Sequence, residues 1–208
     1  MSDLTLIIGT QTFSSWSLRP WIALCMTGAK FKVEKIALRK PDTKAKILER
    51  SPSGHVPLLI DGSLKVWDSL AILEYLAERF PAAGLWPKDA AARAEARSLA
   101  AEMHAGFAAL RNDFTMDLRL STRQRALGAV ANDIARIAEI WRDCRKRHGG
   151  GGEFLFGHFT NVDAMFAPVV TRFRTYNVPL DAVCAAYRDT MLALPAMRRW
   201  YAEAAAEW

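Results

Sequence analysis

The sequence predicts two unlike parts: an α/β domain of order βαβαββα over residues 1–81, then an all-helical domain over residues 90–208, joined by a linker at 82–89. Three observations carry this reading. Apolar patterns of strand and helix type alternate through the first 80 residues. Gly62-Ser63 separates PLLID (57–61) from LKVWD (64–68), as the turn of a hairpin does. After residue 90 the apolar residues recur every three or four positions and no convincing strand follows.

LTLIIGT (4–10) reads as a buried strand. Residues 16–28 read as a helix closed by Gly28, with Pro20 expected in its first turn, where proline is tolerated. FKVEKIAL (31–38) alternates like a half-buried strand, and residues 43–51 form a short helix. SPSGHVP (51–57) is dense in backbone punctuation. Residues 69–80 form a helix with Leu70, Leu73, Leu76 and Phe80 on one side. The alternation implies a parallel strand pair with a crossover helix, and the hairpin adds antiparallel strands. PAAGLWPKDAAARAEA (81–96) runs from linker into helix. Met103, Phe107, Leu110 and Phe114 share a helical face, as do Leu127, Val130, Ile134, Ile137, Trp141 and Cys144. Gly149 to Gly152 stop that second helix, and three more are expected near 162–174, 181–193 and 195–206.

The chain has 208 residues, 51% apolar and 24% charged, an ordinary globular balance. Its net charge of +6 is spread evenly: 11 Lys/Arg against 8 Asp/Glu in residues 1–87, and 17 against 14 in 88–208. A nucleic-acid surface concentrates its cations, so no nucleic-acid partner is expected. The densest basic run, RDCRKRH (142–148), falls at a helix end, where cations suit the dipole. The opening MSDLTLIIGT has no charged leader, and no stretch approaches the roughly 18 apolar residues of a membrane span, so no membrane association is expected. Cys25, Cys144 and Cys184 are too few and scattered for a disulfide framework and read as buried reduced thiols, which fits a cytoplasmic location. The histidines at 55, 104, 148 and 158 have no metal-ligand spacing, so no metal is expected.

Three stretches can carry chemistry. In GHVP (54–57) the residue before proline is held extended. A plain turn accounts for it. A cis Val56–Pro57 bond would instead turn the Val56 N–H and C=O outward to pair with an extended peptide. In WDSLAILEYL (67–76), Asp68 and Ser69 open a helix. They serve as caps, or they read the zwitterionic end of an amino acid, the helix start and the Ser69 hydroxyl taking a carboxylate and Asp68 an ammonium. In SSWSLRPW (14–21), Ser14, Ser15 and Ser17 gather at the first turn of a helix. One serine suffices as a cap. A hydroxyl there can also donate to a thiolate that the helix dipole favours, and helix starts lower thiol pKa values from about 8.5 by one to several units.

Together these pieces resemble the cytosolic glutathione S-transferase superfamily over nearly the whole chain. The carriers are SSWSLRPWIAL (14–24), SPSGHVPLLIDG (51–62), WDSLAILEYLAERFP (67–81) and the helical second half; HFTNVDAMFAP (158–168), with Thr160 three residues before Asp163, is a structural helix start of the same family. The resemblance implies a thioredoxin-like N-terminal domain, glutathione as co-substrate, a detoxifying role, a homodimer, and an electrophile site between the domains. It implies a cis Val56–Pro57 bond beside the cysteinyl backbone, Asp68 and Ser69 at the γ-glutamyl end, and His55 near the glycine carboxylate. The first motif is most similar to the zeta, maleylacetoacetate isomerase-like class, which carries a Ser-Ser-Cys-Ser-Trp-Arg type stretch. Ser14, Ser15, Ser17 and Arg19 line up; Trp16 replaces the cysteine and Leu18 the tryptophan. Without that cysteine, and with no tyrosine near the end of the first strand, the chain is expected to be a serine-type transferase. Ser14 is the favoured thiolate donor and Ser15 the second candidate. Trp16, Phe107, Arg111, Arg172 and Tyr176 are candidates for the electrophile side, each with core packing or a salt bridge as its plain alternative. Two other readings stay open: glutathione-dependent cis–trans isomerisation of a diacid, and a non-catalytic adaptor on the same fold.

Overall fold

The apolar run that opens the chain becomes an inner strand of a sheet. In a computed structural model, which describes residues 4–122 and 126–207, β1 (Leu4–Gly9) pairs in parallel with β2 (Lys32–Ile36) and antiparallel with β3 (Leu58–Asp61). β4 (Leu64–Val66) completes the order β2-β1-β3-β4. The hairpin turns at Gly62, whose φ of +60 suits glycine, and Asp61 pairs with Leu64. The crossover is α1 (Ser15–Thr27), closed by Gly28 in the left-handed region; α2 (Thr43–Arg50) and α3 (Ser69–Arg79) complete the βαβαββα order. Strand periodicity divides the core. Leu4, Leu6, Ile8 and Leu59 join the apolar side chains of α1 and α3, whereas Ile7 and Leu58 meet Ile36 and Ile47 on the other face.

Pro20 departs from expectation. The helix begins at Ser15, so Pro20 lies beyond the first turn. Having no N–H, it cannot donate to the Trp16 carbonyl four residues earlier, which leaves that carbonyl without its helical donor.

The second half is helical: α4 (Ala90–Ala105), α5 (Ala108–Asp113), α6 (Ala131–His148), α7 (Asn161–Thr175), α8 (Ala182–Ala193) and α9 (Pro195–Ala205). The face through Met103, Phe107, Leu110 and Phe114 is built by two helices. The chain breaks at Gly106 and Phe107, the latter at φ +63, yet all four side chains stay buried. Leu127 and Val130 lie just ahead of α6 and continue its apolar side. The basic end of α6 is paired: Arg142 bonds Asp181 at 2.8 Å, and Arg147 bonds Glu95. The three cysteines are free, and burial pushes their thiols up, to about 11 for Cys25 and about 12 for Cys144 and Cys184. No helix among the described residues is long and apolar enough to cross a membrane.

α7 lies against both α1 and α4. At its start the Asp163 carboxylate accepts from the Thr160 N–H at 2.8 Å and hydroxyl at 3.0 Å, from the Leu155 N–H and from the Tyr187 hydroxyl. Next to it, the Asn161 N–H donates to the Leu85 carbonyl and its amide to the Leu73 carbonyl. The Asp163 bonds hold the start of α7 within the helical half, and the Asn161 bonds tie it to α3 and to the linker.

Candidate functional site

Three segments converge: the first turn of α1, the 53–57 segment, and the start of α3. A cavity of about 350 Å³ opens there, lined by Trp16, Ser53, His55, Val56, Pro57, Trp67, Asp68 and Ser69. It gathers four of the residues the sequence singled out, from two stretches, together with Trp16 from a third.

The Val56–Pro57 bond is cis. No backbone hydrogen bond engages Val56 among the described residues, so its N–H and C=O are available to an extended peptide. His55 is exposed, with Nδ1 2.8 Å from the Ser53 carbonyl oxygen. Asp68 caps α3, its Oδ1 accepting from the Leu70 N–H at 2.8 Å, while its side chain remains half-exposed. Ser69 is 1% exposed, and its hydroxyl has no partner among the described residues. Capping leaves one group unused at this helix start: Asp68 supplies the cap and Ser69 keeps an unpartnered hydroxyl.

The serines of α1 are held differently from one another. Ser14 precedes the helix, and its hydroxyl donates to Ser17 Oγ at 2.7 Å. Ser17, fully buried, also accepts from the Gly9 N–H at 3.1 Å. The Ser15 hydroxyl has no hydrogen-bond partner among the described residues. Both Ser14 and Ser15 are buried and neither lines the cavity; Trp16, the next residue, does.

Behind Trp16 lie cations. The Arg19 guanidinium sits 4.2 Å from the Trp16 ring centre and that of Arg111 4.8 Å. Arg19 is wholly buried; its Nε donates to the Met165 carbonyl, and both terminal nitrogens lack a partner among the described residues. Burial, reinforced by Arg111 and Arg172, holds its pKa well below the guanidinium range. Burial also lowers Arg172 to about 10. Arg172 donates to the Phe114 and Pro168 carbonyls, and Arg111 to carbonyls at the end of α4. Tyr176 stacks on Phe114 at 4.3 Å and donates to the Thr115 carbonyl, and Phe107 is core. Of the five candidates for the electrophile side, Trp16 alone lines the cavity.

His104 had no signal in the sequence. It lies on α4, far along the chain, yet its Nε2 is 3.6 Å from Asp68 Oδ2 and its ring meets Trp16 edge-on at 5.3 Å. Only tertiary packing brings it to the cleft.

Residues 13–79 match the family model for the glutathione S-transferase N-terminal domain, and residues 121–203 that for the C-terminal domain. A probable maleylacetoacetate isomerase of Caenorhabditis elegans is 32% identical over 201 residues, 94% of this chain and 92% of the relative. The chain belongs to the glutathione S-transferase family. Solved structures agree with that. A bacterial maleyl pyruvate isomerase, described as a zeta-class glutathione S-transferase, superposes with a TM-score of 0.72 at 25% identity, covering 94% of this chain and 95% of its own. A Burkholderia glutathione transferase homolog with bound glutathione has a TM-score of 0.73 at 22% identity over 99% of this chain and all of the other, which shows the shared fold. This glutathione S-transferase is thus zeta-like in its relatives while carrying Trp16 in its first motif.

Proposed function

We propose that this glutathione S-transferase binds reduced glutathione as co-substrate in the cleft between the 53–57 segment, the start of α3 and the first turn of α1. In this reading an extended cysteinyl backbone pairs with Val56, the γ-glutamyl carboxylate meets the Ser69 hydroxyl and the N–H groups at the start of α3, and its ammonium faces Asp68. His55 stands at the glycine end. The single observation that carries it is the unpartnered Ser69 hydroxyl on the wall of a cavity that Asp68 and the unengaged Val56 edge also line.

A serine at the start of α1 then stabilises the thiolate. Ser15 has the hydroxyl free to donate, and Ser14 must first release Ser17. The thiolate attacks an electrophilic carbon of a small, mostly apolar molecule. A carbon–sulfur bond forms, the leaving group departs with its electron pair, and the thiol proton passes to solvent. The enzyme contributes position and charge stabilisation. On this reading residues 1–81 form the glutathione-binding domain and 90–208 supply the electrophile side across the 82–89 linker, in a cytoplasmic, detoxifying homodimer.

The grouping of Arg19 and Arg111 against Trp16, with Arg172 near enough to Arg19 to act on it, favours a second reaction on the same site, glutathione-assisted cis–trans isomerisation of a diacid, whose carboxylates pair well with guanidinium groups. Retention on immobilised glutathione, followed by assays with an aryl halide and a maleyl diacid, tests both. Conjugation of the halide supports the transferase and turnover of the diacid the isomerase. Failure to bind glutathione overturns both and leaves an adaptor.

A further inference from the structure

The turn between β1 and α1 leads directly into both candidate serines, and it is held from the far end of the chain. Within it the N–H groups of Phe13 and Ser14 both donate to the Thr10 carbonyl, at 3.1 and 2.9 Å. The N–H groups of Gln11 and Thr12 have no acceptor inside the turn, and both residues are fully buried. Glu207, just past α9, takes both: its Oε1 accepts from the Gln11 N–H at 3.0 Å, and its Oε2 accepts from the Thr12 N–H and hydroxyl, each at 3.2 Å. Lys35 Nζ lies 3.6 Å from the same carboxylate. α9 adds Glu203, which accepts from the Gln11 side-chain amide at 3.0 Å, and Trp200, whose indole N–H donates to the Gln11 carbonyl at 3.1 Å. From the other sides, the Leu118 N–H donates to the Thr12 carbonyl and the Leu38 N–H to Thr10 Oγ1. Ser14 follows two residues after Thr12.

We propose that Glu207 is a positioning residue for the thiol-activating serines: its carboxylate fixes the turn at Gln11 and Thr12, and with it the direction in which the first turn of α1 presents Ser14 and Ser15. This rests on the assignment of those serines to the thiol. Two buried N–H groups without an acceptor are costly, so without the carboxylate the turn reorganises to reach water or another acceptor. Glu207 touches no substrate in this account. Its negative charge by itself opposes ionisation of a nearby thiol. Removing a mere charge therefore lowers the thiol pKa, whereas removing a support raises it, and the two roles have opposite signs.

The test uses the full chain with Glu207→Gln and Glu207→Ala. Amide hydrogen exchange of residues 10–15 in the ligand-free protein is expected to speed up about ten-fold or more at Gln11 and Thr12. The apparent pKa of bound glutathione, read from thiolate absorbance, is expected to rise about half a unit or more, with kcat near pH 6.5 falling about three-fold and KM for glutathione within about two-fold. Gln keeps one acceptor oxygen, so E207Q is milder and keeps the test open where E207A loses too much stability. A thiol pKa that is unchanged or lowered in E207Q, or exchange unchanged at Gln11 and Thr12, overturns the proposal. A wild-type protein that lowers no thiol pKa overturns the serine assignment instead, and the exchange measurement still reports separately whether Glu207 holds the turn.

Discussion

Ser69→Ala separates a binding role from a structural one. The Ser69 hydroxyl is buried, lacks a partner among the described residues and belongs to the wall of the cleft. A buried hydroxyl left unpaired costs a folded protein about 1–3 kcal/mol. Alanine removes that cost, loses one small atom of packing, and suits the first helical position at least as well. The ligand-free variant is therefore expected to gain about 1 kcal/mol, raising Tm by about 2–4 °C for a chain of this length. In the proposed binding mode the same hydroxyl gains a carboxylate partner from glutathione, an interaction contributing about 1.5–3 kcal/mol. Its loss raises Kd about ten- to hundred-fold. Scanning calorimetry gives the first number and titration calorimetry the second. A variant that melts lower and binds glutathione with wild-type affinity would leave Ser69 a helix-start residue with no part in binding.

Burial raises the Asp163 carboxyl to about 6, so between about pH 4 and 6 the folded protein holds a proton that the unfolded chain has released. Stability should fall across that window as pH rises, by up to about 3 kcal/mol, and Asp163→Asn should lack this slope while being destabilised by its lost acceptors; urea unfolding at several pH values checks both, and a wild type that gains stability relative to the variant as pH rises contradicts it. If the arginine group serves a diacid, Arg111→Met should cut isomerisation of a maleyl substrate more than ten-fold while conjugation of an aryl halide stays within about three-fold. Equal losses in both assays would assign Arg111 to its bonds at the end of α4 alone.

The element order was readable because burial imposes period on sequence. The face from Ile134 to Cys144 lies on one helix, and Gly62 turns the hairpin as the composition indicates. The break after Ala105 was not readable, since Phe107 keeps the helical spacing while its backbone leaves the helix, and side-chain burial satisfies either path. Pro20 reads as a first-turn proline because three serines at 14, 15 and 17 leave the helix start undefined in the sequence, whereas the helix begins at Ser15. Of the residues lining the cleft, Val56-Pro57 is marked in the sequence by its proline and Asp68-Ser69 by a capping pattern. His104 and Glu207 reach their partners across long chain separations, and a lone histidine or glutamate on a helix face carries no local mark of that. The Ser14–Ser17 bond follows from spacing once the helix start is known, but the competition it sets up between Ser14 and Ser15 depends on Gly9, which only the fold supplies.

The most direct measurement is thiolate absorbance of enzyme-bound glutathione against pH in the wild type and in Ser14→Ala and Ser15→Ala. The wild-type midpoint is expected well under the free-thiol value of about 8.5, moved up by about one unit or more in at least one variant while glutathione affinity stays within several-fold. A midpoint identical in all three proteins would contradict the serine assignment.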